Sequence, residues 1–490
     1  MSSFLLRNVR EAFTREVLDA RITDGRIDLD SQISPNIGDE VLDAEGRWLV
    51  PGLWDAHVHF DQWAQARSRL DLAGTKSPEA VTRLVGDALA DDSGHGMFFG
   101  FGYRASEWSR QATVAELDAV TGSRPVALVS GDMHNGWLNS AAMTLMGAPP
   151  RDTPFDEDDW FPLFGRLEPW APDPESAVRD AMQAAAAKGV VGIVDLEFAA
   201  NHDVWVRRSQ TADPKLRVRT GVYPDLVHTV LERGLASGDA LDERGMVRMG
   251  PLKIISDGSL GTRTAHCCEP YLRADEMTHP RGVQNVDPQE LVRLLGIARS
   301  GGLDVALHAL GDAAVSHALD AFRATRSRGS IEHAQVVRWE DLDRMSSLGI
   351  TASVQPAHLL DDRDAMDRLW ADRADRSFAF RAMLDRGVRL ALGSDAPVAA
   401  LDPWLAMAAA VYRSGDGRPP WNQQEALSPR EALAASTDGV DRVRSGDRGD
   451  VLLLDSDPFG GAGPEEAARN LSGMRVAATF VDGRPTHWDF

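Results

Sequence analysis

Two histidines stand two residues apart in Pro51-Gly52-Leu53-Trp54-Asp55-Ala56-His57-Val58-His59-Phe60, directly after a Pro-Gly turn and within a short apolar run. If that run is a strand, residues two apart share a face, so His57 and His59 aim at one target. Imidazole suits zinc and related divalent ions, and hard oxygen ligands complete such sites. Taken alone, an HxH pair at the surface or packed for structure is the plainer reading. Four more polar groups close apolar runs further along: Lys253 in GPLKIISDG, His308 in DVALH, His333 in IEHA and Asp395 in LALGSDAP. In a parallel barrel the carboxyl ends of separate strands converge on one face, where active sites are built. Six convergent groups therefore point to a divalent metal centre, with zinc the expected ion.

Each candidate has a bland alternative. Lys253 is a charge inside an apolar run, and a lone buried ammonium is expensive. It is either paired with Asp257 or Asp195, or a neutral amine carboxylated by carbon dioxide, whose carbamate oxygens can bridge two metals. Asp395 either caps a helix ahead of Pro397 or touches one metal and the water it activates, taking that water's proton and passing it to the leaving group. Asp312, just after His308, caps a helix or accepts from the neighbouring imidazole. His134, in GDMHNGW, grips the substrate or its oxyanion, or makes a loop hydrogen bond; Trp137 walls a pocket or simply packs. Arg263 lies in the glycine-rich GSLGTRT, which has no phosphate-loop pattern; it recognises a substrate carboxylate or carbonyl, or pairs with a surface acid. His358, after Gln355-Pro356, lines the pocket. The only cysteines, Cys267 and Cys268, are adjacent, poorly placed for a structural disulfide, and read as non-catalytic.

The elements that position these groups follow from patterning. Strand-sized apolar runs at 49–60, 125–130, 190–196, 216–222, 251–257, 303–309, 329–333, 351–355 and 388–394 alternate with helix-like stretches at 174–188, 288–300, 312–326, 341–348 and 377–386. That alternation predicts a parallel α/β fold, either a barrel or an open sheet. Short strand-like runs before residue 50, ending in a hairpin at 41–50, and others at 450–455 and 478–483 predict a small all-β sandwich made by both termini. Residues 150–175 read as a long loop.

Composition sets the outer bounds. With 490 residues, one large barrel plus a smaller domain fits the length. The 74 acidic against 52 basic residues give a net charge of −22, which disfavours a nucleic-acid backbone as partner. The opening MSSFLLRNVREAFT is too short in apolar residues for a signal peptide, and no run is long enough to span a bilayer. A cytoplasmic protein acting on a small molecule, without membrane attachment and assembled as a homodimer, is the expectation.

The stretches PGLWDAHVHFD, HNGWLNSAAM, PLKIISDGSLGTRTA, DVALHALGDAAV, SIEHAQVV, SVQPAH, LALGSDAPV and GDRGDVLLLDSDP, in this order through most of the chain, resemble the amidohydrolase superfamily and its family 3 branch, which includes N-substituted formamide deformylase-like hydrolases. The resemblance implies an α/β fold, a (β/α)8 TIM barrel with a small β-sandwich domain formed from both termini. Its expected boundaries are 1–50 and 441–490 for the sandwich, 51–400 for the barrel with inserted loops, and 401–440 for the final barrel helices. It also implies that His57, His59 and Asp395 hold the more buried metal, that His308 and His333 hold a second, and that Lys253 is the strand-four lysine carboxylated in binuclear members. One or two divalent ions would serve hydrolysis of an N-acyl, N-formyl or cyclic amide. A deaminase, or a carbon–oxygen or carbon–chlorine hydrolase, using the same activated water is the alternative. A barrel that only binds is a further one, separated by metal content.

Overall fold

The computed structural model describes residues 3–490 except 93, 95, 106–107, 131–134, 168–169, 171–172, 212–214, 273 and 275–276. The chain divides into two compact units, one of Met1–Phe60 with Met182–Phe490 and one of Asp61–Ala181.

Eight parallel strands form the centre of the first unit: Leu53–Val58, Val190–Asp195, Arg217–Val222, Val247–Ile255, Val305–Ala309, Gly329–His333, Thr351–Val354 and Leu390–Leu392, hydrogen-bonded in that order. Most are rich in Val, Ile and Leu because helices cover their outer faces, as parallel sheets require. The helix Pro288–Ser300 shows how. Asp287 accepts from the Gln289 N–H at its start, Pro288 suits the first turn, and Leu291, Leu294, Leu295 and Ala298 fall on one buried stripe.

The eighth strand returns to the first and closes the barrel at the ligand-bearing ends. The Asp395 N–H donates to the His57 carbonyl at 2.7 Å, and the His59 N–H donates to the Ala396 carbonyl at 2.9 Å. Gly393 permits this approach, since a Cβ there would lie 2.7 Å from the His57 nitrogen and 2.9 Å from its Cβ. We expect Gly393→Ala to force the seam open, costing about 2 kcal/mol. A lower denaturation midpoint checks this; an unchanged midpoint would mean the seam is slack.

Both termini join in one mixed eight-stranded sheet, order Arg484–Trp488, Val476–Val481, Val451–Leu454, Trp48–Pro51, Ser3–Glu11, Val17–Thr23, Arg26–Asp30, with Asp39–Asp43 also on Ser3–Glu11. Its core includes Phe4, Leu6, Ile22, Val451 and Phe480, and the Phe4 and Phe480 rings meet edge to face at 5.5 Å. The hairpin expected at 41–50 does not form. Asp39–Asp43 and Trp48–Pro51 both run parallel to Ser3–Glu11, one after the other. The chain between them detours around an irregularity in that strand at Leu6–Val9, where the Ala44 and Gly46 N–H groups donate to the Arg7 and Asn8 carbonyls.

The second unit is the chain between the first and second barrel strands. Its five-stranded sheet runs Phe155–Asp156, Asn135–Leu138, Val126–Ser130, Phe98–Tyr103, Leu70–Asp71. The apolar run at 125–130, expected among the barrel strands, is the centre of this sheet instead. It is buried at all five positions, and a strand covered on both faces carries no pattern saying which sheet it joins. The stretch expected as a long loop contains the helix Glu157–Phe164, anchored by buried Trp160 and Leu163. Among the described residues no helix is long and apolar enough to cross a membrane.

Candidate metal centre

Histidines and an aspartate from five separate barrel strands, or the turns just after them, meet at the carboxyl ends. Ligand atoms of His57, His333 and Asp395 all lie within 4.8 Å of one another, and all three residues are buried. Asp395 Oδ1 is 3.4 Å from His57 Nε2 and 3.5 Å from His59 Nε2, while Oδ2 is 3.8 Å from His358 Nε2. The His308 ring sits edge-on to His333 at 4.5 Å, and Lys253 Nζ is 3.4 Å from His57 Nε2. All six groups expected from strand ends therefore stand in one connected cluster, with His358 added.

Backbone geometry makes the convergence possible. His333 and Asp395 adopt left-handed φ of 72° and 56°, uncommon for residues with a side chain. Such strain persists where the surroundings enforce it, here the strand end and the barrel seam.

A buried carboxylate the sequence did not single out orders the site. Glu332 Oε2 accepts from His57 Nδ1 at 2.7 Å, and Ser330 donates to its other oxygen. A carboxylate only accepts, so the proton sits on Nδ1 and the Nε2 lone pair faces Asp395 and Lys253, the tautomer a metal needs. Burial would raise the Glu332 carboxyl, but the His57 hydrogen bond and nearby charges hold it below its usual value. Burial, with Lys253 close by, lowers His57, which stays neutral. His308 is pushed down to about 3 by burial and Lys253; its Nε2 donates to the Gly258 carbonyl at 3.2 Å, leaving the Nδ1 lone pair free of its proton. Burial likewise lowers His333 and Lys253, favouring a neutral amine. Asp395 stays ionised because His57, His59, His333 and His358 together outweigh its burial.

Three further carboxylates set the frame. Asp55 accepts from the His57 and Ser394 N–H groups, both at 3.0 Å, tying the first strand to the eighth; burial raises its carboxyl to about 6. Asp195 accepts from Phe60 N–H and Trp205 Nε1, fixing the chain just past His59. Asp257 accepts from the His266, Leu310 and Gly311 N–H groups, joining the loops after strands four and five, and burial raises it to about 7. Asp195 and Asp257 thus serve backbone N–H groups and, for Asp195, an indole; neither forms an ion pair with Lys253 among the described residues. Asp312 neither caps its helix nor reaches His308: it accepts from the Cys268 N–H and pairs with Arg376 at 2.7 Å.

The remaining expectations divide. His134 lies outside the described residues. Arg263 is exposed on its loop at φ 57°. Trp137 is fully buried in the second unit's core, its Nε1 donating to the Thr113 carbonyl, which is the packing alternative. Cys267 and Cys268 are unpaired, and burial pushes the Cys267 thiol up to about 12, consistent with an inert group. Phe198, missed in the sequence, is 59% exposed after the second strand, stacked on His59 at 5.1 Å and on Tyr223 at 4.9 Å.

The donor set fits a divalent cation. Buried nitrogens of His333 (Nδ1) and His358 (Nε2) make no hydrogen bond among the described residues. Leaving such atoms unpaired is costly unless something else satisfies them.

Comparison with known proteins agrees with this geometry. Protein LONG AFTER FAR-RED 3 of Arabidopsis thaliana is 28% identical, with 91% of this chain and 84% of that one covered. N-substituted formamide deformylase of Arthrobacter pascens is 26% identical, with 91% and 89% covered. The crystal structure of an uncharacterized metal-dependent hydrolase from Pyrococcus horikoshii OT3 has a TM-score of 0.72 at 26% identity, covering 94% of this chain and 99% of that chain. The family described as Amidohydrolase family matches residues 40–487. On that match and this cluster of donors, the chain belongs to the amidohydrolase family and is an enzyme of that hydrolytic class.

Proposed function

We propose that this chain hydrolyses a non-peptide carbon–nitrogen bond, that of an N-acyl, N-formyl or cyclic amide, with Asp395 moving the proton. The observation that carries this is the buried approach of His57, His333 and Asp395 to within 4.8 Å. His57, His59, His308, His333 and Asp395 would hold one or two divalent ions, zinc the expected species, and Lys253, once carboxylated, would serve as a further ligand if there are two. A bound cation supplies Lewis-acid polarisation and makes water a nucleophile near neutral pH. Asp395 accepts the proton of the attacking water and returns it to the leaving amine, and Glu332 keeps His57 in the ligating tautomer. Arg263 and His134 are assigned to the substrate by their sequence neighbourhoods. The formamide deformylase relative supports the substrate class.

Phe198 offers an exposed aromatic face beside His59. We expect Phe198→Ala to raise KM for aromatic amides about tenfold while leaving kcat nearly unchanged, the effect of losing one stacking partner. Equal KM values for variant and parent would remove Phe198 from the substrate's path.

The test joins metal analysis to product analysis. Chelation should abolish hydrolysis of N-formyl and N-acyl amines, and zinc should restore it, with a carboxylic acid and an amine as products. Release of ammonia instead would make the protein a deaminase, and cleavage of esters alone a carbon–oxygen hydrolase. Equal turnover with and without metal would overturn the metal-dependent proposal.

A further inference from the structure

Barrel interiors of this kind are usually filled by bulky branched side chains. Here the residues lining the opposite end from the metal cluster include Ala56, Ala306, Ser330, Ser353 and Ala391, and they leave a cavity of about 620 Å³. Its mouth is formed by residues that immediately precede strands, among them Asp304, Arg328 and Arg389, so it opens at the amino-terminal end of the barrel. That volume falls within the range of small-molecule pockets.

The lining is selective. Trp54, Pro251 and Leu392 add apolar wall. Arg219 is paired with Asp438, and Arg328 with Asp304 at 3.2 Å. The carboxylate of Glu332 at the inner end is engaged by His57 and Ser330. Arg389 donates to the Gly349 carbonyl at 2.9 Å but, among the described residues, has no carboxylate partner. Ser353 is 2% exposed, and its Oγ makes no hydrogen bond among the described residues. A cavity with an apolar body, one uncompensated cation at its mouth and one unsatisfied hydroxyl inside suits one kind of ligand.

We propose that the amino-terminal end of the barrel carries a second small-molecule site for an apolar carboxylate, its charge at Arg389 and its body against Ala306 and Trp54. Hexanoate and its neutral counterpart hexanol are the probes, titrated calorimetrically into zinc-loaded full-length protein. For so small a ligand, hexanoate should bind with a dissociation constant on the order of 1 mM, and hexanol about tenfold more weakly. Ala306→Leu, which fills the cavity, should weaken both about tenfold. Arg389→Gln should erase the preference for the carboxylate; Arg389 is exposed, so this variant decides the question even if Ala306→Leu does not fold. Hexanoate binding that is unchanged in both variants would place it elsewhere, on the zinc for instance, and overturn the proposal, as would the absence of binding by either probe.

Discussion

Asp395→Asn should lower kcat about ten-thousand-fold while the protein stays folded. Asparagine matches aspartate in size and is tolerated at left-handed φ, so the backbone at 56° and the hydrogen bond from the residue 395 N–H to the His57 carbonyl are kept. What changes is the chemistry of one group. An amide accepts no proton at neutral pH, and it is a poorer ligand than the carboxylate that sits 3.4 Å and 3.5 Å from the Nε2 atoms of His57 and His59. Zinc content measured alongside turnover separates the two losses. A variant that keeps its metal and loses turnover has lost the proton carrier. One that retains activity within about tenfold of the parent would refute the role assigned to Asp395.

Glu332→Ala should be the most damaging change away from the reacting atoms. It leaves the His57 Nδ1–H buried without an acceptor, at a cost of about 3 kcal/mol. It also frees the ring to turn, so zinc affinity should fall about 10- to 100-fold. Glu332→Gln discriminates between mechanisms. Its amide oxygen can still accept from Nδ1, so much of the stability should return, while the loss of charge leaves zinc binding weaker than in the parent. Denaturation midpoints and zinc competition titrations read the two quantities separately. If Ala and Gln variants bind zinc as the parent does, Glu332 does not position His57.

Asp395 and Glu332 differ in how far the local sequence places them. Asp395 is visible because it ends an apolar run, as do His57, His308 and His333, and strand ends in a barrel converge. Glu332 is hidden by the same logic. Adjacent strand residues face opposite sides, so a reader who aims His333 at the mouth sends Glu332 outward. The left-handed turn at His333 breaks that alternation and lets both face the cluster.

Residue type and strand period, both local properties, determined which donor groups close the strands, the alternation of strands and helices, and the strand-forming runs at both termini. Partner choice was decided only by the tertiary structure. The strand Val126–Ser130 went to a sheet outside the barrel, Asp39–Asp43 and Trp48–Pro51 both lay along the first strand of the chain, and Asp195 and Asp257 accepted from N–H groups instead of pairing with Lys253. A strand buried on both faces has no pattern to name its neighbour, and a carboxylate's partner depends on which N–H groups the closed barrel brings within 3 Å of it. Those are distances between residues far apart in the chain, and they exist only once the chain has folded.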